Sequence, residues 1–264
     1  MTIIPSILIS GAAAGIGKAT ALKFLAEGWR VGAYDIDRDG LTALANKLAD
    51  DQRMRLVTGV LDVTDNDNWQ QALDDFTSHS GGSLNLLFNN AGILCSGPLA
   101  DGGLEAQQKL VDVNVRGLLA GCYHALPYLQ QAATSDHGAR VINMSSASAI
   151  YGQPGLAVYS ASKFAVRGMT EALDLEWAPH GVKVMDVMPL FVRTRMVTNM
   201  NAGSIKRLGV RLTPEDIAAT VYRMAHYRGT RVHWPVGLQT KLMMGASKLS
   251  PNWLTRLTNR WITR

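Results

Sequence analysis

The chain has 264 residues with 26 basic and 21 acidic side chains, a net charge of +5, and 47% hydrophobic residues. That balance excludes a disordered chain and leaves room for a large buried core. No run of about 18 uninterrupted apolar residues occurs, which excludes a spanning helix, and the two cysteines, Cys95 and Cys122, have neither metal-ligand nor disulfide-framework spacing.

The apolar opening, Ile3 to Ser10, lacks a basic leader region and runs straight into glycines, so it predicts a first strand and not a signal peptide. Ser10-Gly11-Ala12-Ala13-Ala14-Gly15-Ile16-Gly17 then turns the chain into a helix over 16–28. Glycine permits a tight turn with close backbone approach, and the free N–H groups of a helix start suit a phosphate. The spacing is Gly-x3-Gly-x-Gly, not the commoner Gly-x-Gly-x2-Gly, and alone it also fits a simple strand-to-helix turn. The second strand, 29–35, ends on Asp35, near the distance expected for an acid that hydrogen-bonds a ribose 2′-hydroxyl. A carboxylate there repels a 2′-phosphate and Ala12 to Ala14 offer no cation, so the reading leans to NAD, with NADP kept open by Arg38. A capping or turn role for Asp35 is the alternative.

A helix over 41–50, a strand over 54–62 and a helix over 66–78 follow. SLNLLFNN (83–90), ARVINMSS (139–146) and VKVMDVMP (182–189) are further apolar runs, each followed by helical sequence. Near-continuous apolar strands alternating with helices require a parallel sheet covered on both faces. The expectation is a doubly wound, Rossmann-type α/β fold. It forms a single domain over 1–240 with a helical, basic extension over 241–264. Ligands in such folds bind beyond the carboxyl ends of the strands.

Tyr159 and Lys163, at i and i+4, share one helix face. Holding a phenol near pKa 7 takes about 4 kcal/mol against its free value of about 10. An ammonium about 4 Å away at an effective dielectric near 20 offers about that much. Desolvation opposes it, so a second positive group such as an oxidised nicotinamide helps. Ser146, at the end of the strand over 139–146, can reach the same pocket.

Ser10 to Gly17, Asn89-Asn90-Ala91-Gly92, Asn114, Ser146 and Tyr159-x3-Lys163 stand in an order and spacing that together resemble the short-chain dehydrogenase/reductase family. The resemblance runs over roughly 3–225. It implies Tyr159 as general acid/base, Ser146 orienting the substrate oxygen, and Lys163 holding the ribose and lowering the phenol pKa, with Asn114 helping to hold a relay water. It places Gly11, Ala14, Gly15, Ile16 and Gly17 under the dinucleotide, with Asp62 and Val63 near the adenine. Asn90, Ala91 and Gly92 close the groove, and Pro189, Val192 and Thr194 face the nicotinamide. The sequence departs from the family at Leu190, where Pro-Gly is usual, so the loop runs differently or Leu190 points into the substrate pocket. Ser10 replaces the usual threonine.

Leu94, Cys95, Gln153, Leu156 and the segment over 191–210 are expected on the substrate side. An apolar alcohol or ketone fits them; Arg193, Arg195, Lys206, Arg207 and Arg211 either meet an acidic substrate group or face water. In the tail, Lys241, Lys248, Arg256, Arg260 and Arg264 supply the whole net charge with no acid among them. An excess confined to one tail disfavours nucleic acid. Ser250-Pro251 reads as a helix start, and Trp253, Leu254, Leu257 and Trp261 make an apolar stripe. The stripe suits an acidic membrane surface, a sister subunit or a flap over the pocket.

The sequence thus predicts a cytoplasmic, NAD-dependent oxidoreductase of an apolar secondary alcohol or ketone, without a metal and homo-oligomeric by resemblance. An NADP-dependent carbonyl reductase, a dinucleotide-binding sensor and a peripheral membrane protein are the alternatives.

Overall fold

The computed structural model describes residues 4–198, 207–249 and 251. Ile3, Lys206, Ser250 and the tail stripe with Arg256, Arg260 and Arg264 lie outside the described residues.

Strands β1 (Ser6–Ser10), β2 (Arg30–Asp35), β3 (Leu56–Val60), β4 (Leu86–Asn89), β5 (Ala139–Met144), β6 (Val182–Pro189) and β7 (His233–Val236) make one sheet. All pairs are parallel and the order is β3-β2-β1-β4-β5-β6-β7. Helices α1 (Gly15–Ala26), α2 (Arg38–Ala45), α3 (Asp50–Arg53), α4 (Asn66–His79), α5 (Leu104–Val111), α6 (Gly117–Ala132), α7 (Ala157–Glu176), α8 (Arg195–Thr198), α9 (Pro214–Ala225) and α10 (Leu238–Leu249) connect or follow the strands.

Strand side chains alternate between two cores, as the two-residue period requires. Ile7, Ile9, Leu86 and Phe88 pack with Phe24 and Leu25 of α1 and with Ile217 and Val221 of α9. Leu8 and Leu87 point the other way, onto Trp69 and Phe76 of α4, Ala125 of α6 and Val166 of α7. A doubly wound, Rossmann-type sheet is the result.

The expected boundaries move by local chemistry. The helix expected from Leu41 begins at Arg38, because the Asp37 carboxylate accepts the Gly40 N–H at 2.9 Å and caps it there. The third strand shortens to Leu56–Val60. β7 had no counterpart among the expected strands; it is four residues long and contains Pro235, which an edge strand paired only to β6 tolerates. α10 runs across the expected start of the extension at Lys241, with Thr240 fully buried.

The helices over the second core approach closely. A methyl group on Gly121 of α6 would lie 2.7 Å from the Trp69 ring and 2.5 Å from Asn89 Oδ1. Gly121→Ala should therefore destabilise the fold by about 1–3 kcal/mol, read as a lower urea midpoint with an unchanged slope. An unchanged midpoint would show that α4 and α6 can separate without cost.

Candidate active site

The chain leaves β1 and β4 in opposite directions, so a crevice opens at their carboxyl ends. Ser10 ties it together: its hydroxyl accepts the N–H groups of Asn90 and Ala91, each at 3.1 Å. Asn90 Nδ2 in turn donates to the carbonyls of Ser10 at 3.0 Å and Gly11 at 2.9 Å. Gly11 takes a left-handed φ of +69°, and a Cβ on it would sit 2.9 Å from Ala91 Cα. A Cβ on Gly17 would overlap the Gly11 carbonyl. Gly17 thus lets α1 pack on the turn, and its place is under the cavity and not on its wall. α1 begins with no capping side chain and no acid in its first turn, so its leading N–H groups face an anion unopposed.

The crevice is a cavity of about 910 Å3. Its wall includes Gly11, Ala14, Gly15, Ile16, Asp35, Asp62, Val63, Asn90, Ala91 and Gly92 at one side. Ser146, Tyr159, Lys163, Pro189, Val192 and Thr194 continue it at the other, with Leu94, Leu156 and Leu190 between. At the outer end the Asp35 carboxylate accepts Ala13 N–H at 2.9 Å and Asp37 N–H at 3.0 Å. It is at once a turn acid and a wall residue, and a carboxylate has lone pairs to spare for a further donor. Arg38 is exposed and forms no part of the wall. Asp62 is held below the usual carboxylate range by the hydroxyl and N–H of Thr64, at 2.7 and 2.9 Å.

At the inner end, Ser146 follows β5 and caps a short turn, accepting Ser148 N–H at 3.1 Å. Its hydroxyl lies on the same wall as the Tyr159 phenol and lowers the phenol pKa. Part of the Tyr159 ring faces the cavity, yet protein atoms crowd the phenol, and burial pushes its pKa above 10 against the lowering effect of Ser146. Lys163 Nζ donates to the Met144 carbonyl at 2.8 Å and stands 5.6 Å from the Tyr159 ring centre. Burial lowers its own pKa from 10.5 to about 8. The opposing desolvation expected from the sequence is the larger effect on the phenol. In the protein by itself, desolvation drives both groups toward their neutral forms.

Asn114 lies in a π turn (Asp112–Arg116) between α5 and α6. Its amide is committed to the main chain of Ile93, accepting the N–H at 2.8 Å and donating to the carbonyl at 2.9 Å, and it donates to Ser162 at 3.2 Å. Both Nδ2 hydrogens are thus used within the protein, at a point where the regular helical pairing is interrupted. Gln153 is buried off the wall: its side chain donates to Tyr151 Oη at 3.1 Å and its N–H to Ser160 Oγ at 3.1 Å, pinning the start of α7. Cys95 is also off the wall. No described residue other than glycine has a positive φ, so Leu190 needs no glycine-like backbone and puts its side chain on the cavity.

Several wall residues had not been expected, among them Ile36, Gly40, Lys109 and Ser145. Ile36 and Gly40 flank Asp35 closely enough to have been found from it. Lys109 lines the wall from α5, whose distance in sequence gives no signal. The buried Ser145 hydroxyl has no partner among the described residues.

The family model described as short chain dehydrogenase matches residues 5–204. Over 190 residues the chain is 37% identical to the 3-alpha-(or 20-beta)-hydroxysteroid dehydrogenase of Mycobacterium tuberculosis, covering 72% of this chain and 69% of that one. Over 224 residues it is 34% identical to the 3-oxoacyl-(acyl-carrier-protein) reductase of Thermotoga maritima, covering 83% and 89%. Among solved structures, the 3-ketoacyl-(acyl-carrier-protein) reductase from Brucella melitensis complexed with NADH superposes with a TM-score of 0.80 at 26% identity, covering 88% of this chain and 96% of that one.

The depressed Lys163 pKa has a stability consequence. Below about pH 8 the folded protein keeps a buried ammonium, at a cost of about 3 kcal/mol relative to an unfolded chain that titrates near 10.5. Lys163→Met should therefore raise the melting temperature at pH 7. Between pH 8 and 10.5 the unfolded chain binds more protons than the folded one, so the parent protein gains stability and the advantage shrinks. Thermal unfolding at pH 7 and pH 10 checks both signs.

Proposed function

The chain belongs to the short-chain dehydrogenase family, and from that premise we propose that it interconverts an apolar secondary alcohol and its ketone, with NAD as the favoured dinucleotide. The observation that carries this reading is the single cavity in which an acid after β2, a glycine turn and the Ser146–Tyr159–Lys163 group face one another.

The residues present fit a dinucleotide. The turn brings backbone close to the cavity where no side chain could stand, and the uncapped start of α1 suits a pyrophosphate. Gly11, Ala14, Gly15 and Ile16 form that cradle, supported from below by Gly17. Asp35 accepts from the ribose and repels a 2′-phosphate, which favours NAD because Arg38 is outside the wall. Asp62 and Val63 take the adenine side, Asn90, Ala91 and Gly92 the floor, and Pro189, Val192 and Thr194 the nicotinamide side. A bound nicotinamide supplies hydride transfer.

This chain's own residues handle the proton and the substrate. Ser146 donates to the substrate oxygen and orients it. The Tyr159 phenolate takes the proton of an alcohol hydroxyl, and the phenol returns it when a ketone is reduced. Lys163 and Ser146 are the two groups here that favour the phenolate. Ile93, Leu94, Leu156, Leu190, Phe191 and Met196 make the neighbouring wall apolar, which excludes water and suits an apolar substrate.

The same reading includes cytoplasmic residence, supported by the free Cys95 and Cys122, and a homo-oligomer, supported by the exposed Leu119 and Tyr123 of α6 and Phe164 and Leu175 of α7. It includes peripheral contact of the 241–264 extension with an acidic membrane, supported by five cations without an acid and by exposed Leu238 and Leu242. Vesicles with and without anionic lipid, tested against a variant with Lys241, Lys248, Arg256, Arg260 and Arg264 all changed to Gln, check it: equal binding by both chains would sink the contact.

Two kinetic outcomes are expected. Tyr159→Phe should lower kcat about 100- to 10,000-fold while NAD binding persists, measured by nicotinamide absorbance on a series of secondary alcohols. The parent should prefer NAD, and Asp35→Ala should erode that preference; turnover of the parent with NADP alone would overturn the role given to Asp35.

A further inference from the structure

Beyond the cavity, α7 carries a second set of charged contacts. Arg167 and Glu171 continue the four-residue spacing of Tyr159 and Lys163 along that helix. Arg167 Nε donates to Glu171 Oε1 at 3.0 Å. The same Glu171 oxygen meets His233 Nε2 of β7 at 2.8 Å. His233 Nδ1 lies 3.0 Å from both oxygens of Asp186, a fully buried carboxylate on β6. Burial works against the imidazolium, but the contacts with Asp186 and Glu171 together hold the His233 pKa above its ordinary value. Two acids and two bases therefore bridge α7 to the last two strands of the sheet.

The other end of Arg167 reaches the catalytic turn. Its Nη1 donates to the Ala149 carbonyl at 3.3 Å, and the Ala149 N–H donates to the Ser146 carbonyl at 3.0 Å. Ser146 and Tyr159 stand on different segments, one on the turn after β5 and one on α7. Arg167 joins those two segments from a helix fixed to the sheet below it.

We propose that Arg167 is a positioning residue: held by Glu171 and through it by the His233–Asp186 pair, it fixes the Ala149 turn on α7 and so sets the Ser146 hydroxyl against the Tyr159 phenol. This rests on the oxidoreductase reading for its use but not for its test. A simple packing role would lower stability without touching the Tyr159 proton, whereas the positioning role moves that proton.

The first readout needs no substrate. Tyrosinate absorbance is followed against pH, with the trace of Tyr159→Phe subtracted to isolate Tyr159, whose facing groups are Ser146 and Lys163. Arg167→Ala should shift the Tyr159 titration to higher pH, because the Ser146 hydroxyl that lowers it is no longer held in place. Arg167→Lys should restore most of the parent position. His233→Gln, which keeps an amide donor beside Asp186 but weakens the hold on Glu171, should shift it in the same direction by less, with far-UV circular dichroism checking that the variant is folded. NAD affinity by calorimetry should stay within about twofold, and kcat for the best alcohol in the series should fall about three- to tenfold with little change in KM. An unmoved Tyr159 titration in Arg167→Ala overturns the proposal, as does a shift in Arg167→Ala that His233→Gln wholly lacks. Failure of the parent to bind NAD or turn over any alcohol would count against the oxidoreductase reading alone, since the titration stands apart from it.

Discussion

Everything in this molecule depends on the parting of β1 and β4. Two neighbouring parallel strands whose chains leave in opposite directions cannot cover their own carboxyl ends, and the gap becomes the crevice. A gap of that kind needs fastening, and Ser10 and Asn90 fasten it with four hydrogen bonds across the two strand ends. The helix that follows β1 must then turn back over the sheet within a few residues. Gly17 under Gly11 is what allows that closeness, for any side chain there would push α1 off the turn. The same step that opens the crevice therefore aims the start of α1 into it.

The electrostatics at the inner end follow from burial more than from pairing. Lys163 is buried with one carbonyl as its hydrogen-bond partner, and the Ser146 hydroxyl is what lowers the Tyr159 pKa against burial. Both groups are thus biased toward their neutral forms, and the positive charge of a bound oxidised nicotinamide would favour the phenolate.

The sheet and the reacting groups were legible because they depend on short-range signals. Apolar runs show strands, glycine shows the turn, and Tyr159 with Lys163 shows one helix face. β7 was not legible: four residues with a proline carry no pattern apart from their pairing to β6. Gln153 was misplaced for a related reason. Ser160 Oγ accepts its main-chain N–H and Tyr151 Oη accepts from its side-chain amide, and only tertiary structure shows that the amide meets Tyr151 and not the cavity. Asn114 was legible as a position but not as a geometry, since no local pattern shows that its amide pairs with the main chain of Ile93.

The spacing that made the Tyr159–Lys163 pair visible also explains why the charged contacts beyond it escaped notice. Four residues of α-helix turn through about 400°, so each step of this series drifts about 40° around the axis. Three steps carry the series about 120°, from the cavity at Tyr159 to the sheet edge at Glu171. One helix face in sequence is thus a slow spiral in space, and its far end meets partners on β6 and β7 that no local pattern announces. Asp186 is the clearest instance. In sequence it is an acid between the apolar Met185 and Val187, a feature that argues against burial. In the fold it is fully buried and satisfied by His233 from the neighbouring strand, at the position directly paired with it. A buried carboxylate is tolerated only where such a partner exists, so the register of β7 and the charge on β6 constrain one another.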